Sequence, residues 1–407
     1  MSKNLKPIVV LFVTLFLVMV GFGIVIPIFP FLIIDLGGGP TALGFFMASY
    51  SVMQFIFAPF WGRLSDRIGR RPVLLIGLGG YGITFILFGF VSELWMMFGI
   101  RILSGIISSA TLPTAMAYIA DTTAGAERSK GMGILGAAMG LGMIVGPALG
   151  GWLGQDNFAL PFWVAGGLAV LNLPFAMYFL PESLREPGHN TSSGRAGLNL
   201  AVVKNPLFIL FLLGFIMNFT MSMFEGTFAL FAADRVGFGP RELGILFAVL
   251  GVVGVIIQGG LIGRLVKKFG DVKLIRAGLL IAAAGMLLIL MAPDVIMLFI
   301  TTAIFNIGTT LLGPTSSSLV SKNTSGGQGE ALGIMQSFGS FGRIFGPMAG
   351  GALYDLHINV PYSLGAAILL LMVLLAGSKI AGFDVNQDEV ITNEETRVKE
   401  AKDDQRG

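Results

Sequence analysis

The 407 residues of this chain are too hydrophobic for a water-soluble protein, since 54% are apolar and only 12% are charged, about half the charged share of an ordinary globular domain. This composition excludes a soluble globular protein and indicates that the solvent is lipid. The net charge is only +3, and the lack of cysteine excludes disulfide bonds and thiolate metal sites.

Twelve apolar stretches follow one another along the chain, and most approach the roughly 20 residues that a helix needs to cross a membrane. They occupy residues 8–34, 41–61, 72–91, 94–118, 131–153 and 158–180, then 206–231, 242–262, 274–292, 294–318, 331–353 and 361–381. The sequence therefore predicts an all-α integral membrane protein with 12 transmembrane helices in two pseudo-symmetric six-helix bundles, residues 1–180 and 206–381. The first stretch is longer than the apolar core of a signal peptide, so we interpret it as a retained span.

Two polar segments separate or follow these bundles. Residues 181–205 contain two prolines and a run of small polar residues, which favours a flexible cytoplasmic linker. Residues 382–407 are highly charged and predict a cytoplasmic tail that is disordered or at most a short exposed helix. With both termini in the cytoplasm, most of the 26 lysines and arginines lie on that side, as the positive-inside rule requires. The chain is thus predicted to be a multi-pass protein of the cell membrane, whose basic loops contact lipid headgroups and not nucleic acid.

Two glycine-rich motifs occur twice, about two hundred residues apart. Gly142-Met-Ile-Val-Gly146-Pro147-Ala-Leu-Gly150-Gly151 returns as Gly342-Arg-Ile-Phe-Gly346-Pro347-Met-Ala-Gly350-Gly351, and residues 62–71 are echoed by residues 263–271. The chain is therefore an internal duplication. Many transporters build a central binding site between two homologous membrane halves, so the repeat favours a protein that moves a small molecule across a membrane.

Taken together, the twelve spans, the long central loop and these motifs resemble the major facilitator superfamily over essentially the whole chain. Residues 62–71 match the signature between its second and third helices, and the Gly-Pro-x-x-Gly-Gly run resembles the signature of its drug–proton antiporters. The order of elements around Phe224-Glu225 and Ala233-Asp234-Arg235 looks like the small multidrug exporters, which include quinolone and tetracycline exporters. The resemblance implies proton-coupled export of hydrophobic or cationic drugs by alternating access, with protons as the coupling ion, no cofactor and a monomeric unit.

The segment between the second and third spans combines glycines, which allow tight backbone geometry, with charged side chains. The resemblance implies that these charges form a network with Asp121, which latches the two halves in the outward-facing state. The residues assigned to this latch are Gly62, Asp66, Arg67, Gly69, Arg70 and Asp121. The alternative is that the arginines only hold the loop at the lipid headgroups. In the second copy Lys267 stands where Asp66 would repeat, which predicts an asymmetric latch.

The antiporter-type motif of the fifth span is predicted to act through helix packing. It consists of Gly142, Gly146, Pro147, Gly150 and Gly151. Small residues let helix backbones approach closely in a membrane, and a proline inside a helix is expected to bend it. We expect these bends to shape the interface that opens and closes, so that a bulky residue at Gly146 or Gly150 abolishes transport without preventing insertion. The alternative is packing with no role in gating.

Glu225 is the one acid predicted to lie deep within a span. A charge at the bilayer centre costs several kcal/mol unless it is paired or hydrated, so intramembrane acids are usually functional. A carboxyl group in an apolar cavity can hold a proton near neutral pH and can release it to bind a cationic substrate. We expect Glu225 to do both, so that the downhill proton drives the drug uphill. The alternative is a structural acid that is permanently paired with Arg343 or Arg101.

Three further ionisable residues are candidates for proton coupling or substrate binding. Arg101 matches the basic position of the superfamily's fourth-helix motif, and because an arginine does not release its proton at usable pH, its expected role is electrostatic. Arg343 lies in the second glycine motif and is expected to pair across the bundle with Glu225. Asp35 matches an acid at the outer end of the first helix in related exporters, and an interfacial acid that caps the loop is an equal alternative.

Drug recognition needs an apolar cavity with deformable walls, and the chain contains 34 Phe and 20 Met. Methionine adapts to varied shapes, and aromatic faces attract cations. The candidates for the lining are Tyr50, Met53, Gln54, Met217, Met221, Phe224, Phe228, Phe305 and Asn306. Most Phe and Met of a membrane bundle instead face lipid or pack between helices. Relatives often carry a second acid in the tenth span, where this chain has the uncharged Asn306.

Other functions fit the sequence less well. The chain contains no phosphate-binding Gly-Lys-Ser/Thr loop, which disfavours direct ATP drive. Its two histidines, His189 and His357, form neither a metal-binding cluster nor a nucleophile–base pair, so neither a metal nor enzymatic activity is expected. A transporter of the same fold for a metabolite such as a sugar stays open as the alternative. A non-transporting sensor is disfavoured because it would not need the gating motifs.

Overall fold

The computed structural model describes residues 5–184, 205, 207–324 and 327–379, which are helical and contain no strand. The predicted linker at 181–205 is described only at residues 181–184 and 205, and the predicted tail at 382–407 lies outside the described residues. In lipid, where backbone groups have no water to bind, a helix satisfies them within one segment. This constraint explains why a chain of this composition is helical.

The first half contains six spans, two of which are broken into two helices. They are Leu5–Val25 with Phe29–Asp35, Pro40–Ile68, Arg70–Phe88, Leu94–Ser108 with Thr111–Thr122, Gly125–Leu153 and Ala159–Phe179. Proline removes a backbone donor from a helix. Pro27 lies within the break of the first span and Pro113 lies just after the break of the fourth, so both breaks have a local cause in the sequence.

The second half also contains six spans. They are Phe208–Val236, Pro240–Ile256 with the π-helical turn Ile257–Leu261 and Ile262–Phe269, Asp271–Leu290, Val295–Lys322, Gln328–Leu356 and Val360–Lys379. Ten of the described spans are long and apolar enough to cross a membrane; the eleventh is more polar and the apolar part of the twelfth, Val360–Leu375, is shorter. The prediction of 12 helices in two six-helix halves is confirmed.

The π-helical turn of the eighth span has a counterpart in the first half. Pro59 lies inside the second span, within the stretch that corresponds to Ile257–Leu261 at the repeat offset of two hundred residues. A proline and a π-helical turn each disturb the regular backbone hydrogen bonds of an α-helix. The second span stays a continuous helix, but both spans have an irregular backbone hydrogen-bond pattern at the same depth.

The charged segment after the second span is mostly helical and turns at a single residue. The second span continues to Ile68, and only Gly69 separates it from the third span. Gly69 has a φ of +105° and its repeat, Gly270, a φ of +78°, which is a backbone region that favours glycine. We therefore predict that any other residue at Gly69 or Gly270 strains this turn.

The two halves meet chiefly where the second span packs on the eleventh and where the fifth packs on the eighth. The end of the bundle that carries Gly69 and Gly270 is called the proximal end, and the end that carries Gly39 and Gly239 is called the distal end. The predicted topology places the proximal end in the cytoplasm.

Candidate transport site

At the distal end, the fifth span crosses the eighth with no side chain between their backbones. A methyl group added to Gly151 would lie 2.9 Å from the Cα of Gly244 and would overlap the carbonyl oxygen of Pro240. Gly244 lies in turn against the carbonyl oxygen of Pro147. The glycines on both sides of this crossing therefore allow direct backbone contact between the two halves.

The second and eleventh spans cross in the same way. A methyl group added to Gly351 would lie 3.0 Å from the Cα of Thr41, and Gly44 lies against the carbonyl oxygen of Pro347. The glycines and prolines of this crossing stand two hundred positions from their counterparts in the first one. The two crossings are thus related by the duplication, and together they hold the halves in contact at the distal end.

The sequence analysis missed the partner of the glycine motif in each crossing. That partner is the segment Gly-Pro-x-x-x-Gly, which occurs at 39–44 and again at 239–244. Its repetition at the same offset as the glycine motif was the signal that would have identified it.

One polar contact reinforces only the second crossing. Asp355 accepts hydrogen bonds from the hydroxyl of Thr41 and, at 3.2 Å, from its backbone N–H in the first turn of the second span. In the first crossing the corresponding residue is Gln155, whose amide donates instead to the carbonyl oxygen of Trp152 at 2.9 Å. A carboxylate at a helix N-terminus is stabilised by the helix dipole. The two crossings therefore differ by one charged contact.

The other glycines of the motif pack within the first half. These are Gly142, Gly146 and Gly150, and all three lie against the backbone of the first span. A methyl group on Gly150 would overlap the carbonyl oxygen of Ile24. The expected position of Gly146 and Gly150 at the moving interface is therefore corrected: Pro147 and Gly151 face the second half, and the other glycines face the first span.

On the proximal side of the crossings lies a cavity of about 470 Å³ between the two halves. Its walls come from the first, second, fourth and fifth spans and from the seventh, eighth and tenth spans. Most of the lining is apolar and is rich in phenylalanine and methionine. Among the residues that the structure describes, the charged ones that line it are Arg101 from the first half and Glu225 from the second. The two walls of this cavity thus carry opposite charges.

Five of the cavity candidates line this chamber, namely Met217, Met221, Phe224, Phe305 and Asn306. Tyr50 does not, because its ring packs on Arg101 and its hydroxyl is 2.9 Å from the hydroxyl of Ser108. Phe228 is fully buried, with its ring centroid 4.6 Å from that of Phe224. Met53 and Gln54 lie on the second span outside the lining.

Several lining residues were not predicted, among them Phe22, Phe29, Met143 and Gln258. Glu225 drew attention to the seventh span, and the first span is the repeat of the seventh. Applying the duplication to the cavity would therefore have pointed to the first span, where Phe22 and Phe29 lie.

Glu225 is exposed to the cavity and makes no hydrogen bond or ion pair with any described residue. The guanidinium of Arg343 donates instead to Oδ1 of Asn218 at 3.1 Å and to Oγ of Ser340 at 2.9 Å. The predicted ion pair between Glu225 and Arg343 is therefore not formed, because Asn218, two turns earlier on the same helix as Glu225, holds the guanidinium.

Arg101 is buried beside the cavity and is surrounded by aromatic rings. Its guanidinium carbon lies 4.7 Å from the ring centroid of Phe29, 4.9 Å from that of Phe46 and 4.5 Å from that of Tyr50. A cation above such ring faces gains electrostatic stabilisation. The alternative pairing of Arg101 with Glu225 is not formed among the described residues.

Asp35 lies away from the cavity. It is the last residue of the short helix Phe29–Asp35 at the distal end, where its side chain is exposed. The structure brings it together with none of the other ionisable candidates.

At the proximal end, Arg70 is the centre of the charge network in the first half. Its guanidinium contacts Asp66 at 2.6 Å, Asp121 at 2.9 Å and the hydroxyl of Ser65 at 2.6 Å. Arg67 is exposed and makes no hydrogen bond or ion pair with a described residue, so Arg70 and not Arg67 connects the two acids. All members of this network belong to the first half.

The second half has an ion pair at the corresponding place, with its charges reversed. Asp271 stands at the repeat position of Arg70, and Lys322 at that of Asp121. The Nζ of Lys322 lies 2.6 Å from Oδ2 of Asp271, which also accepts a hydrogen bond from Ser318 at 3.0 Å. The acid that seemed lost at Lys267 has thus reappeared four residues later, where the first half has a base.

Residues 11–271 and 259–382 match the family model of the Major Facilitator Superfamily. The chain belongs to this superfamily. It is 32% identical over 375 residues to Multidrug resistance protein 1 of Bacillus subtilis (strain 168), with 92% of this chain and 96% of that protein covered. It is 28% identical over 374 residues to Quinolone resistance protein NorA of Staphylococcus aureus (strain COL), with 91% and 95% covered.

Solved structures share the superfamily fold with this chain. A crystal structure of the human organic anion transporter MFSD10 (TETRAN) has a TM-score of 0.68 at 24% identity and covers 92% of this chain and 100% of its own. A POT family transporter in complex with a thioalcohol-conjugated peptide has a TM-score of 0.78 at 15% identity, with 92% and 96% covered. At these identities the likeness shows the superfamily fold alone.

Proposed function

We propose that this member of the superfamily is a proton-coupled secondary transporter that exports small hydrophobic or cationic drugs by alternating access. The observation that carries the proposal is the unpaired carboxylate of Glu225 in a largely apolar cavity between the two halves. Relatives named for multidrug and quinolone resistance support drug export as the activity. We propose protons as the coupling ion, no cofactor, and a monomer in the cell membrane with both termini in the cytoplasm.

Exchange at Glu225 follows from competition for one carboxylate. The protonated side chain is neutral and fits the apolar wall, whereas the ionised side chain needs a counter-charge in this environment. A cationic substrate supplies that charge, and a proton arriving from the opposite side displaces it. Because no described residue forms an ion pair with Glu225, the proton and the cation are the two ligands that compete for it.

The walls of the cavity suit ligands of varied shape. Met217 and Met221 lie one turn apart on the seventh span, and Phe224 and Phe305 pack with their ring centroids 4.6 Å apart. Flexible thioethers and aromatic faces accept different apolar bodies, and the aromatic faces also attract cations. These contacts support broad selectivity for hydrophobic cations.

Alternating access requires the distal crossings to separate and the proximal ends to approach. In this structure the distal crossings are closed, so the cavity is sealed from that side. The network around Arg70 makes no described contact with the second half, and the side chain of Asp66 is 43% exposed. We propose that Gly62, Gly69 and this network form the latch that engages the second half when the proximal end closes.

Membrane vesicles test the proposal directly. Inverted and right-side-out vesicles carry wild-type protein, Glu225→Gln or the control Asp156→Asn, which changes an exposed acid of a distal loop. A proton gradient is imposed, and accumulation of a fluorescent lipophilic cation is followed together with internal pH. We expect cation movement coupled to proton flux in wild type and in the control, and none in Glu225→Gln.

Two results would contradict the proposed function. Full coupled export by Glu225→Gln would remove that residue from both proposed roles. If folded wild-type protein moves no cation in either vesicle orientation, the metabolite transporter becomes the better assignment.

A further inference from the structure

Arg101 is the cation that lines the cavity, and its side chain is almost completely enclosed. Only 3% of the residue is exposed. Nε and Nη1 are buried and have no hydrogen-bond partner, while Nη2 reaches only the sulfur of Met47 at 3.9 Å. A thioether sulfur is a weak acceptor. Two strong donors of this guanidinium are therefore unused.

The charge of Arg101 has no described counter-charge. No acidic side chain of the described residues lies within ion-pair distance of its guanidinium. The guanidinium of Arg343, by contrast, has hydrogen-bond acceptors in Asn218 and Ser340. Because an arginine stays protonated, Arg101 leaves one unbalanced positive charge on the first-half wall.

Such a charge inside a membrane protein is costly unless an opposite charge or water meets it. The three rings around Arg101 stabilise a cation, but ring faces accept no ordinary hydrogen bond from the in-plane N–H groups of a guanidinium. Other donors nearby are also unused. The hydroxyl of Ser104, one turn further along the same helix, and that of Tyr81 are buried without a partner. The region therefore holds several unused donors, and no carboxylate of the described residues contacts them.

We propose that Arg101 is the centre of an anion subsite on the first-half wall of the cavity. The subsite takes one monovalent anion, which is either the carboxylate of a substrate or a chloride ion. The inference rests on the proposed function in treating the cavity as the substrate site. With Glu225 on the opposite wall, a substrate that carries an amine, an apolar body and a carboxylate finds a counter-charge at each end.

The first test measures anion binding without transport. The full chain is purified in detergent, and its thermal stability is followed while chloride replaces gluconate at constant ionic strength. The variants are Arg101→Met, Arg101→Lys and the control Arg235→Met, which removes an arginine whose guanidinium donates to the carbonyl oxygens of Ala292 and Leu290. A bound anion stabilises the folded state by mass action. We expect chloride to raise the melting temperature of wild type and Arg235→Met, to raise it less in Arg101→Lys, and to leave Arg101→Met unchanged.

The second test separates the two sources of the anion. An amphiphilic amino acid and its methyl ester, which share the amine and the apolar body, compete against a radiolabelled lipophilic cation for the purified protein. If a substrate carboxylate occupies the subsite, the acid competes about tenfold better than the ester in wild type and equally well in Arg101→Met. If chloride occupies it, acid and ester compete equally, and chloride strengthens binding of the cation in wild type only.

Either pattern supports the subsite. It is overturned if neither chloride nor the carboxylate has an effect in wild type, or if the effects persist in Arg101→Met. Should Arg101→Met fail to fold, the response of Arg101→Lys relative to wild type decides in the same way. Failure of the proposed function is a separate result. It shows in vesicles, as no cation movement by wild type or as full coupled export by Glu225→Gln, whereas anion binding is measured on the purified protein.

Discussion

The two ends of the molecule treat the duplication differently. At the distal end, both crossings use the same residue types, with Gly151 and Gly244 in one and Gly351 and Gly44 in the other. At the proximal end, the repeat keeps an ion pair at the same positions but exchanges the charges of its partners. The duplication thus preserves the residue types at the distal end, whereas at the proximal end it exchanges the acid and the base.

The difference follows from what each contact requires. Direct backbone contact needs a residue without a side chain, and only glycine provides that on both sides of a crossing. An ion pair needs two opposite charges at a given separation, and exchanging them leaves the attraction unchanged. We infer that shape is the stricter constraint in this fold. The exchange also leaves Asp66 without a counterpart, so the first-half network has one more acid than the second.

The largest effect is expected where packing within one half is broken. Gly150→Leu places a side chain into the backbone of the first span, so we expect a loss of about 3 kcal/mol or more of stability. Detergent-extracted protein should aggregate in size-exclusion chromatography. The matched control is Gly167→Leu, because nothing lies within 4 Å of a Cβ at that glycine. Normal melting of Gly150→Leu would contradict this packing and would restore the expectation of a purely gating role.

The next effect concerns the reversed ion pair. Asp271 is 3% exposed, so Asp271→Lys leaves two cations together in a partly buried place and should cost about 2 kcal/mol, below the range for fully buried pairs because Lys322 is 43% exposed. Adding Lys322→Asp should restore most of the melting temperature. If the double variant is no more stable than Asp271→Lys, the pair is not interchangeable and the comparison of the two ends fails.

The same exchange in the first half should restore less. In Arg70→Asp with Asp121→Arg, the new acid at position 70 faces Asp66, which the second half lacks. Positions 66 and 70 lie on either side of the turn at Gly69, and two acids this close repel each other by up to about 1 kcal/mol at a partly exposed site. We therefore expect partial recovery of thermal stability here and nearly full recovery in the second half. Equal recovery in both halves would show that Asp66 contributes nothing to the network.

At the distal crossings the expected effect is on the balance between two conformations and not on folding. Gly151→Ala and Gly351→Ala each add a methyl group against the opposite half, which should shift the balance between the two states by about 1–3 kcal/mol towards distal opening. Because the chain has no cysteine, a single Met143→Cys reports cavity access by its rate of alkylation. Both variants should raise labelling from the distal side. An effect of only one would show that the crossings are not equivalent.

The smallest effect is expected for the contact that distinguishes the crossings. Asp355→Asn removes a carboxylate from the start of the second span, where an exposed charge of this kind contributes about 0.3–1 kcal/mol. Distal labelling of the same reporter cysteine should rise up to a few fold, whereas Gln155→Ala should leave it unchanged. An equal response of the two variants would assign no special role to the carboxylate.

The number of spans, the two halves and the depth of Glu225 could be predicted because each depends on local composition. Apolar length identifies a span, and an isolated acid within it is conspicuous. The partner of Arg343 could not be predicted, because the competition between Asn218 and Glu225 for its guanidinium is decided by distances between the seventh and eleventh spans. For the same reason, the sequence could not show that Gly142, Gly146 and Gly150 face the first span while Gly151 faces the eighth. Which side of the fifth span meets which neighbour is decided by tertiary packing.

The reversed pair shows how a prediction from repeats can fail. Position-by-position comparison registered Lys267 as a lost acid, because it assumed that a repeated function keeps its residue types. The attraction between Asp271 and Lys322 depends on the product of their charges, so it survives when the acid and the base exchange places. A comparison that looks only for identical residues in the two repeats misses such an exchange.

The irregular places in the second and eighth spans affect how easily the cavity between the two halves can change shape. Pro59 and the turn Ile257–Leu261 make the second and eighth spans more compliant in bending at one depth, because the backbone ladder is incomplete there. Gln258 lies within this compliant stretch and forms part of the wall, while Gly244 holds the rigid end of the same helix at the crossing. We therefore expect a bound molecule to displace this part of the wall while the crossing stays closed, so that one cavity accepts ligands of different size.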